Sequence, residues 1–246
     1  MADALVLCYH AISERFPAAL SVTPDTFERQ LGLLKRAGYR GVTFAEAMRV
    51  GSGRVVAITF DDAFLSVLQR AKPLLDSAGY PATVYAPTAY LDTPEQPLKW
   101  DGIEQWHGGE HEHELLPMSW DQLGELAAAG WEIGSHTSTH PHLHQVRDDS
   151  ELRAELVESK ATVEERLGCD CTTLAYPYGD YDERVVAATG AAGYAAAGTL
   201  PARLHQPRPL AWPRVGIYHG DDERRFRLKV SRVMRRLRGS RLWPTG

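Results

Sequence analysis

One unit recurs four times along the 246-residue chain: a stretch with helical apolar spacing, then small residue–glycine–aromatic, then a short apolar run. The junctions are Ala37-Gly38-Tyr39, Ala78-Gly79-Tyr80, Ala129-Gly130-Trp131 and Ala192-Gly193-Tyr194. Glycine suits the left-handed residue that closes a helix, because it has no Cβ to clash there. The stretches before the junctions carry apolar residues at helical spacing, as in Phe27, Leu31 and Leu34, or Leu68, Ala71 and Leu75. Those after them, GVTF, ATVYAP, EIGS and YAAAG, have the length of strands, and ALVLCYH, RVVAITFD, TLAYP and PRVGIY add more. Strands alternating with helices make a mainly parallel sheet, open or closed into a barrel. Near-continuous apolar runs such as VVAITF fit strands buried on both faces. The sequence has neither G-x-G-x-x-G nor a phosphate-binding P-loop, so a (β/α) barrel is preferred to a nucleotide-binding open sheet.

In both architectures functional groups collect at the C-terminal ends of the strands. Four such ends carry chemistry: Tyr9-His10; Asp61-Asp62; GSHTSTHPHL with His136, His140, His142 and His144; and TLAYPYGDYD with Pro177, Tyr178 and Asp180. Adjacent carboxylates repel, and each is costly to bury without a partner. A helix N-cap explains one Asp of the pair. A cation between strand ends explains two, since it lowers both pKa values. His136 and His140 have the i, i+4 spacing of a helical metal pair, but Pro141 disfavours the α conformation at His140, so a bent loop is expected. Two imidazoles, one carboxylate and open water positions suit zinc or another late first-row divalent ion.

TFDD at 59–62 followed by SHTSTHPHL at 135–143 resembles the NodB-homology polysaccharide deacetylases, carbohydrate esterase family four, over about residues 4–218. The resemblance implies a distorted (β/α) barrel. It also implies that Asp61 is a catalytic base and that Asp62, His136 and His140 hold the metal. YPYG looks like the family's third motif, which makes the backbone N–H of Tyr178 a donor to the oxyanion.

This chain departs from the family's pattern in three places. Ala63 stands where most members have Gly, a change expected to be mild at a helix start. Ala175 replaces an Arg that orients the base, and Arg214 in WPRVGI is the candidate to take over. The late Leu-x-His motif is missing; His205 and His219 lie nearby without its context. VLCYH instead ends an apolar strand at the opposite end of the sequence, an arrangement similar to the poly-N-acetylglucosamine deacetylases, whose motifs are permuted. His10 is therefore assigned as the general acid.

The implied activity is hydrolysis of an acetyl group from an N-acetylated sugar or glycan. An O-acetyl esterase and a catalytically silent carbohydrate-binding protein are the alternatives. The N-terminus MADALVLCYHAIS reads as a buried strand rather than a signal peptide, so a cytoplasmic protein is expected. Cys8, Cys169 and Cys171 are odd in number and lack C-x-x-C spacing, which disfavours a disulfide framework or a cysteine zinc site. Residues 106–117, with His107, His111 and His113 among Glu110, Glu112 and Glu114, read first as a flexible loop at the pocket rim and second as a segment that binds a second metal.

A deacetylase domain over 1–220 is expected to carry a basic tail over 221–246. Residues 224–241 hold nine of the 27 basic residues and no acidic one, so the rest of the chain carries 18 basic against 32 acidic, a net of −14. Phe226, Val230, Val233 and Leu237 fall on one face of an expected amphipathic helix. Docking on the acidic body is its first reading and membrane-surface contact the second. Nucleic acid is not expected as a partner, since the body is acidic.

Overall fold

The computed structural model describes residues 4–50, 53–201, 204 and 207–239. Its principal strands are β1 (Leu5–Tyr9), β2 (Arg40–Val42), β3 (Val55–Phe60), β4 (Thr83–Ala86), β5 (Glu132–Ser135), β6 (Thr173–Ala175) and β7 (Ala196–Thr199). A last segment, β8, consists of Trp212–Pro213 and Val215–Gly216. All pairings among them are parallel, in the order β8-β7-β6-β5-β4-β3-β1-β8, with β2 also on β3. The short β8 appears twice because Trp212 and Pro213 pair with β7 while Val215 and Gly216 pair with β1. One segment of chain thus closes the sheet into a distorted barrel.

The four junction glycines all close helices in the left-handed region, with φ of 75°, 72°, 86° and 85° at Gly38, Gly79, Gly130 and Gly193. Ser119 and Gln122 form a capping box on the helix Trp120–Ala128, and Asp148 caps the long helix Asp149–Leu167. The segment GVTF ends as a strand at Val42, because Phe44 already begins the helix Phe44–Val50, with the Thr43 hydroxyl accepting from the Glu46 N–H.

Side chains alternate faces along a strand. Leu5, Leu7 and Tyr9 of β1, with Val56, Ile58 and Phe60 of β3, join the core beneath the helices. Val6 and Ala57 belong to a second cluster inside the barrel, with Tyr85, Ala175 and Trp212. Continuing the inward phase past the strand ends brings Cys8 of β1 and the following His10, Thr59 of β3 and the following Asp61, and Arg214 between the two parts of β8 to one side of the barrel mouth. The apolar phase of each strand therefore decides which polar residue faces the site.

The basic tail differs from the single helix expected. Its described part forms two helices, Glu223–Val230 and Arg232–Arg238, interrupted at Ser231, whose ψ of 129° is extended; residues 240–246 of the expected tail lie outside the described residues. Phe226 is fully buried in the main core, whereas Leu228, Val233 and Leu237 are exposed. The break at Ser231 interrupts the helical register that would have aligned all four apolar residues.

Candidate active site

Asp61 and Arg214 meet inside the barrel mouth. The guanidinium donates to both carboxylate oxygens, Nη1 to Oδ1 at 2.6 Å and Nη2 to Oδ2 at 2.7 Å, and Nη1 also donates to the Thr59 hydroxyl at 3.0 Å. Burial alone raises a carboxyl pKa, but the Arg214 charge, aided by His136, outweighs it and holds Asp61 down at about 2. The Cys8 thiol adds a third contact to Asp61, 3.3 Å from Oδ2. Burial pushes that thiol well above its ordinary pKa, Arg214 opposing, so it stands as a neutral donor.

Beside this pair, Asp62 Oδ1 lies 3.3 Å from His136 Nε2 and 3.4 Å from His140 Nε2, with all three side chains almost fully buried. Asp62 Oδ1 nevertheless makes no hydrogen bond. His136 Nδ1 is 2.8 Å from the Ala175 carbonyl, which requires the proton on Nδ1 and leaves Nε2 as a lone pair facing Asp62. The unpaired Asp62 oxygen and the two Nε2 atoms thus converge in a buried place, where a cation among them would satisfy all three. Two ligands bound at about 2.0–2.2 Å from a tetrahedral ion are themselves roughly 3.4 Å apart. The observed spacing fits zinc or another divalent ion of similar ligand preference, and a carbonyl orienting the second nitrogen of a ligating His is a recurrent feature of such centres.

The backbone carries strain at the same place. Among the described residues, five non-glycine residues have positive φ: Asp62 (71°), Ala63 (51°), Thr137 (67°), His140 (63°) and Tyr178 (59°). All belong to this site or adjoin it, and such conformations persist only where the surroundings hold them. Ala63 was expected at a helix start; it is left-handed instead, which explains why glycine suits the position better. Its carbonyl accepts from Met118 N–H at 2.8 Å, and Leu65 N–H donates to Leu116 at 2.8 Å. The 106–117 segment therefore ends by bracing the Asp pair, and its Glu114 is buried, receiving Ser13 Oγ–H and pairing with Arg70. This end of the expected flexible loop is anchored.

The remaining sequence candidates converge too. His10, half-buried, lines a pocket of about 310 Å³ together with Asp61, Asp62, His136, His140 and Tyr178. The Tyr178 and His140 rings meet at 62° with centroids 4.7 Å apart, and the Tyr178 phenol donates to the Asp101 carbonyl at 3.1 Å. His219 is exposed, and His205 lies outside the described residues.

Two residues of the site carried no sequence signal. Trp100, from an irregular loop, stacks on His140 at 4.1 Å and walls the pocket. Glu155, on the helix Asp149–Leu167, receives the N–H groups of Ser138 (2.8 Å) and Thr139 (2.9 Å) and the Thr139 hydroxyl (2.5 Å). It grips the loop that presents both histidines, yet in the sequence it is one acid among many on a charged helix. The buried apolar residues flanking it, Leu152 one turn before and Val163 two turns after, look no different in pattern from any helix core.

A barrel of parallel strands whose C-terminal ends hold an Asp-Asp-His-His constellation defines a class of hydrolases. The chain belongs to the polysaccharide deacetylase family, whose sequence model matches residues 48–197, more than half of the chain. It is 29% identical over 195 residues to YxkH of Bacillus subtilis, a protein named for the same family, covering 77% of this chain and 61% of YxkH. It is 29% identical over 136 residues to the poly-beta-1,6-N-acetyl-D-glucosamine N-deacetylase of Escherichia coli, covering 52% of this chain and 19% of that protein. The chain thus spans about three fifths or less of these relatives. The Streptococcus pyogenes deacetylase PplD, solved with acetate, shares the fold with a TM-score of 0.78 at 23% identity, over 93% of this chain and 98% of that one. His10 and Arg214, the residues that depart from the usual motif order, both lie outside the span matched by the family model.

Proposed function

We propose that this chain removes acetyl groups from an N-acetylated sugar or glycan by metal-assisted hydrolysis. The observation that carries the reading is the convergence of Asp62, His136 and His140 around one buried, unpaired carboxylate oxygen beside the Asp61–Arg214 pair. A bound divalent ion, zinc by preference, would be held by these three residues and would polarise the acetyl carbonyl and acidify water.

The chain's own groups supply the rest. Asp61 accepts the proton of the attacking water through lone pairs that Arg214 leaves free, since each carboxylate oxygen has two. Arg214 keeps that carboxylate ionised and aimed. The Tyr178 N–H donates to the oxygen that gains charge as the carbonyl becomes tetrahedral. His10 donates a proton to the departing nitrogen, which leaves poorly as an anion. Trp100 offers a flat apolar wall for the sugar ring.

Acetate release from a panel of N- and O-acetylated glycans, with and without added zinc, tests the reading. Zinc-dependent release from N-acetylated members is expected. Release from O-acetylated members alone would replace amide by ester hydrolysis. No release from any substrate, with the metal demonstrably bound, would leave a carbohydrate-binding role.

A further inference from the structure

Tyr178, with Trp100, Asp101 and His140, lines both the catalytic pocket and a second groove of about 630 Å³ that reaches His142. On that side His142 lies flat on the Tyr178 ring, 3.6 Å away at 11°. The stacking fixes the imidazole plane, and His142 Nδ1 sits 3.1 Å from Asp180 Oδ2. His144, exposed on the short turn Leu143–Gln145, presents its ring 5.8 Å from that of His142. One ligand atom from each of His142, His144 and Asp180 lies within 4.8 Å of the other two.

We propose that His142, His144 and Asp180 form a second divalent-cation site, of the same donor class as the buried one, on the outer side of Tyr178. Two imidazoles and a carboxylate, with positions left for water, suit zinc and its late first-row neighbours. The His142–Asp180 separation already falls near that of two ligands on one ion at about 2.0–2.2 Å. Half of the site is thus organised before any ion arrives. His144 completes it by a rotamer change that its exposure permits. Ordering that side chain costs entropy, so the site binds more weakly than the buried trio.

A simpler role for two of these residues is a hydrogen bond that braces the Tyr178 ring. That role needs His142 and Asp180 but not His144, which separates the two accounts. Equilibrium dialysis of the full chain against zinc chloride, with elemental analysis, should give two ions per chain, one tight and one weak. His144→Ala should keep the tight ion and weaken the other by about 100-fold or more, since even outer-shell partners contribute about 10–100-fold to metal affinity. Asp180→Asn should do the same, and provides a second variant if the first folds poorly. A wild type that saturates at one zinc overturns the proposal. So does a His144→Ala protein that takes up two with both affinities unchanged, because the weak ion then sits elsewhere, for instance among the histidines of 106–117.

Discussion

Arg214 and Asp61, 153 residues apart in the chain, form a two-pronged ion pair in which neither side chain is more than 2% exposed. Arg214 sits in the segment that closes the barrel, between the residues pairing with β7 and those pairing with β1. One contact therefore joins barrel closure to the state of the proposed base. Removing one partner of such a pair strands the other charge in a largely buried place.

Arg214→Met should accordingly destabilise the metal-free protein by about 3–5 kcal/mol near neutral pH. The sign with pH follows from Asp61. Its folded pKa of about 2 lies below the ordinary carboxyl value, so the pair's contribution is present above about pH 4 and lost as pH falls toward 2. Without Arg214, burial acts with less opposition and raises the folded pKa. The gap between wild type and variant, from urea unfolding, should widen from pH 3 to pH 7. A gap that did not change with pH would place the effect in packing alone.

The two neighbouring acids should separate by assay. Asp61→Asn is expected to bind zinc yet lose turnover, whereas Asp62→Ala, His136→Ala and His140→Ala should each lose most of the tightly bound ion and the activity. Wild-type turnover in Asp61→Asn would move the base elsewhere, and full metal occupancy in either His variant would sink the ligand assignment.

Glu155 touches neither the acids nor the imidazoles, but it holds the loop between His136 and His140. Glu155→Ala should weaken zinc binding about 10–100-fold, the range found for outer-shell partners of metal ligands. Glu155→Gln, which keeps one acceptor oxygen, should fall between. Unchanged zinc affinity in the alanine variant would show that the loop's left-handed backbone at Thr137 and His140 needs no such grip.

His10→Ala should reduce amide turnover by about 10²–10⁴-fold with metal content intact, the range for general-acid catalysis. An activated ester, whose leaving group needs no proton, should be much less affected. Equal impairment on both substrates would argue for a structural role at the barrel mouth.

Leu228, Val233 and Leu237 are exposed among arginines, while Phe226 anchors the first tail helix in the core. If the exposed side meets an anionic lipid surface, co-sedimentation with phosphatidylserine vesicles should fall with added salt and with Arg224→Glu and Arg236→Glu together. No sedimentation of the wild type would leave docking of Phe226 on the body as the tail's role. No helix among the described residues is long and apolar enough to cross a membrane.

The sequence by itself determined what short-range patterns carry. The AG-aromatic junctions closed helices where glycine alone is relaxed, the apolar runs became parallel strands, and Asp61-Asp62 with His136 and His140 marked one face of the barrel. Each signal lies within a few residues, where spacing translates directly into geometry. Tertiary structure decided what depends on contacts between distant segments. PRVGIY splits its pairing between β7 and β1 to close the ring, and only closure sets Arg214 against Asp61. Glu155 and Glu114 resemble solvated acids until burial and the donors around them give them work. The left-handed backbone at Ala63 reverses what its helix propensity implied, because Met118 and Leu116 hold that turn from another part of the chain. The tail's apolar residues promised one helical face, and the extended backbone at Ser231 divided it. Periodicity is a local property, whereas burial and charge pairing belong to the assembled barrel.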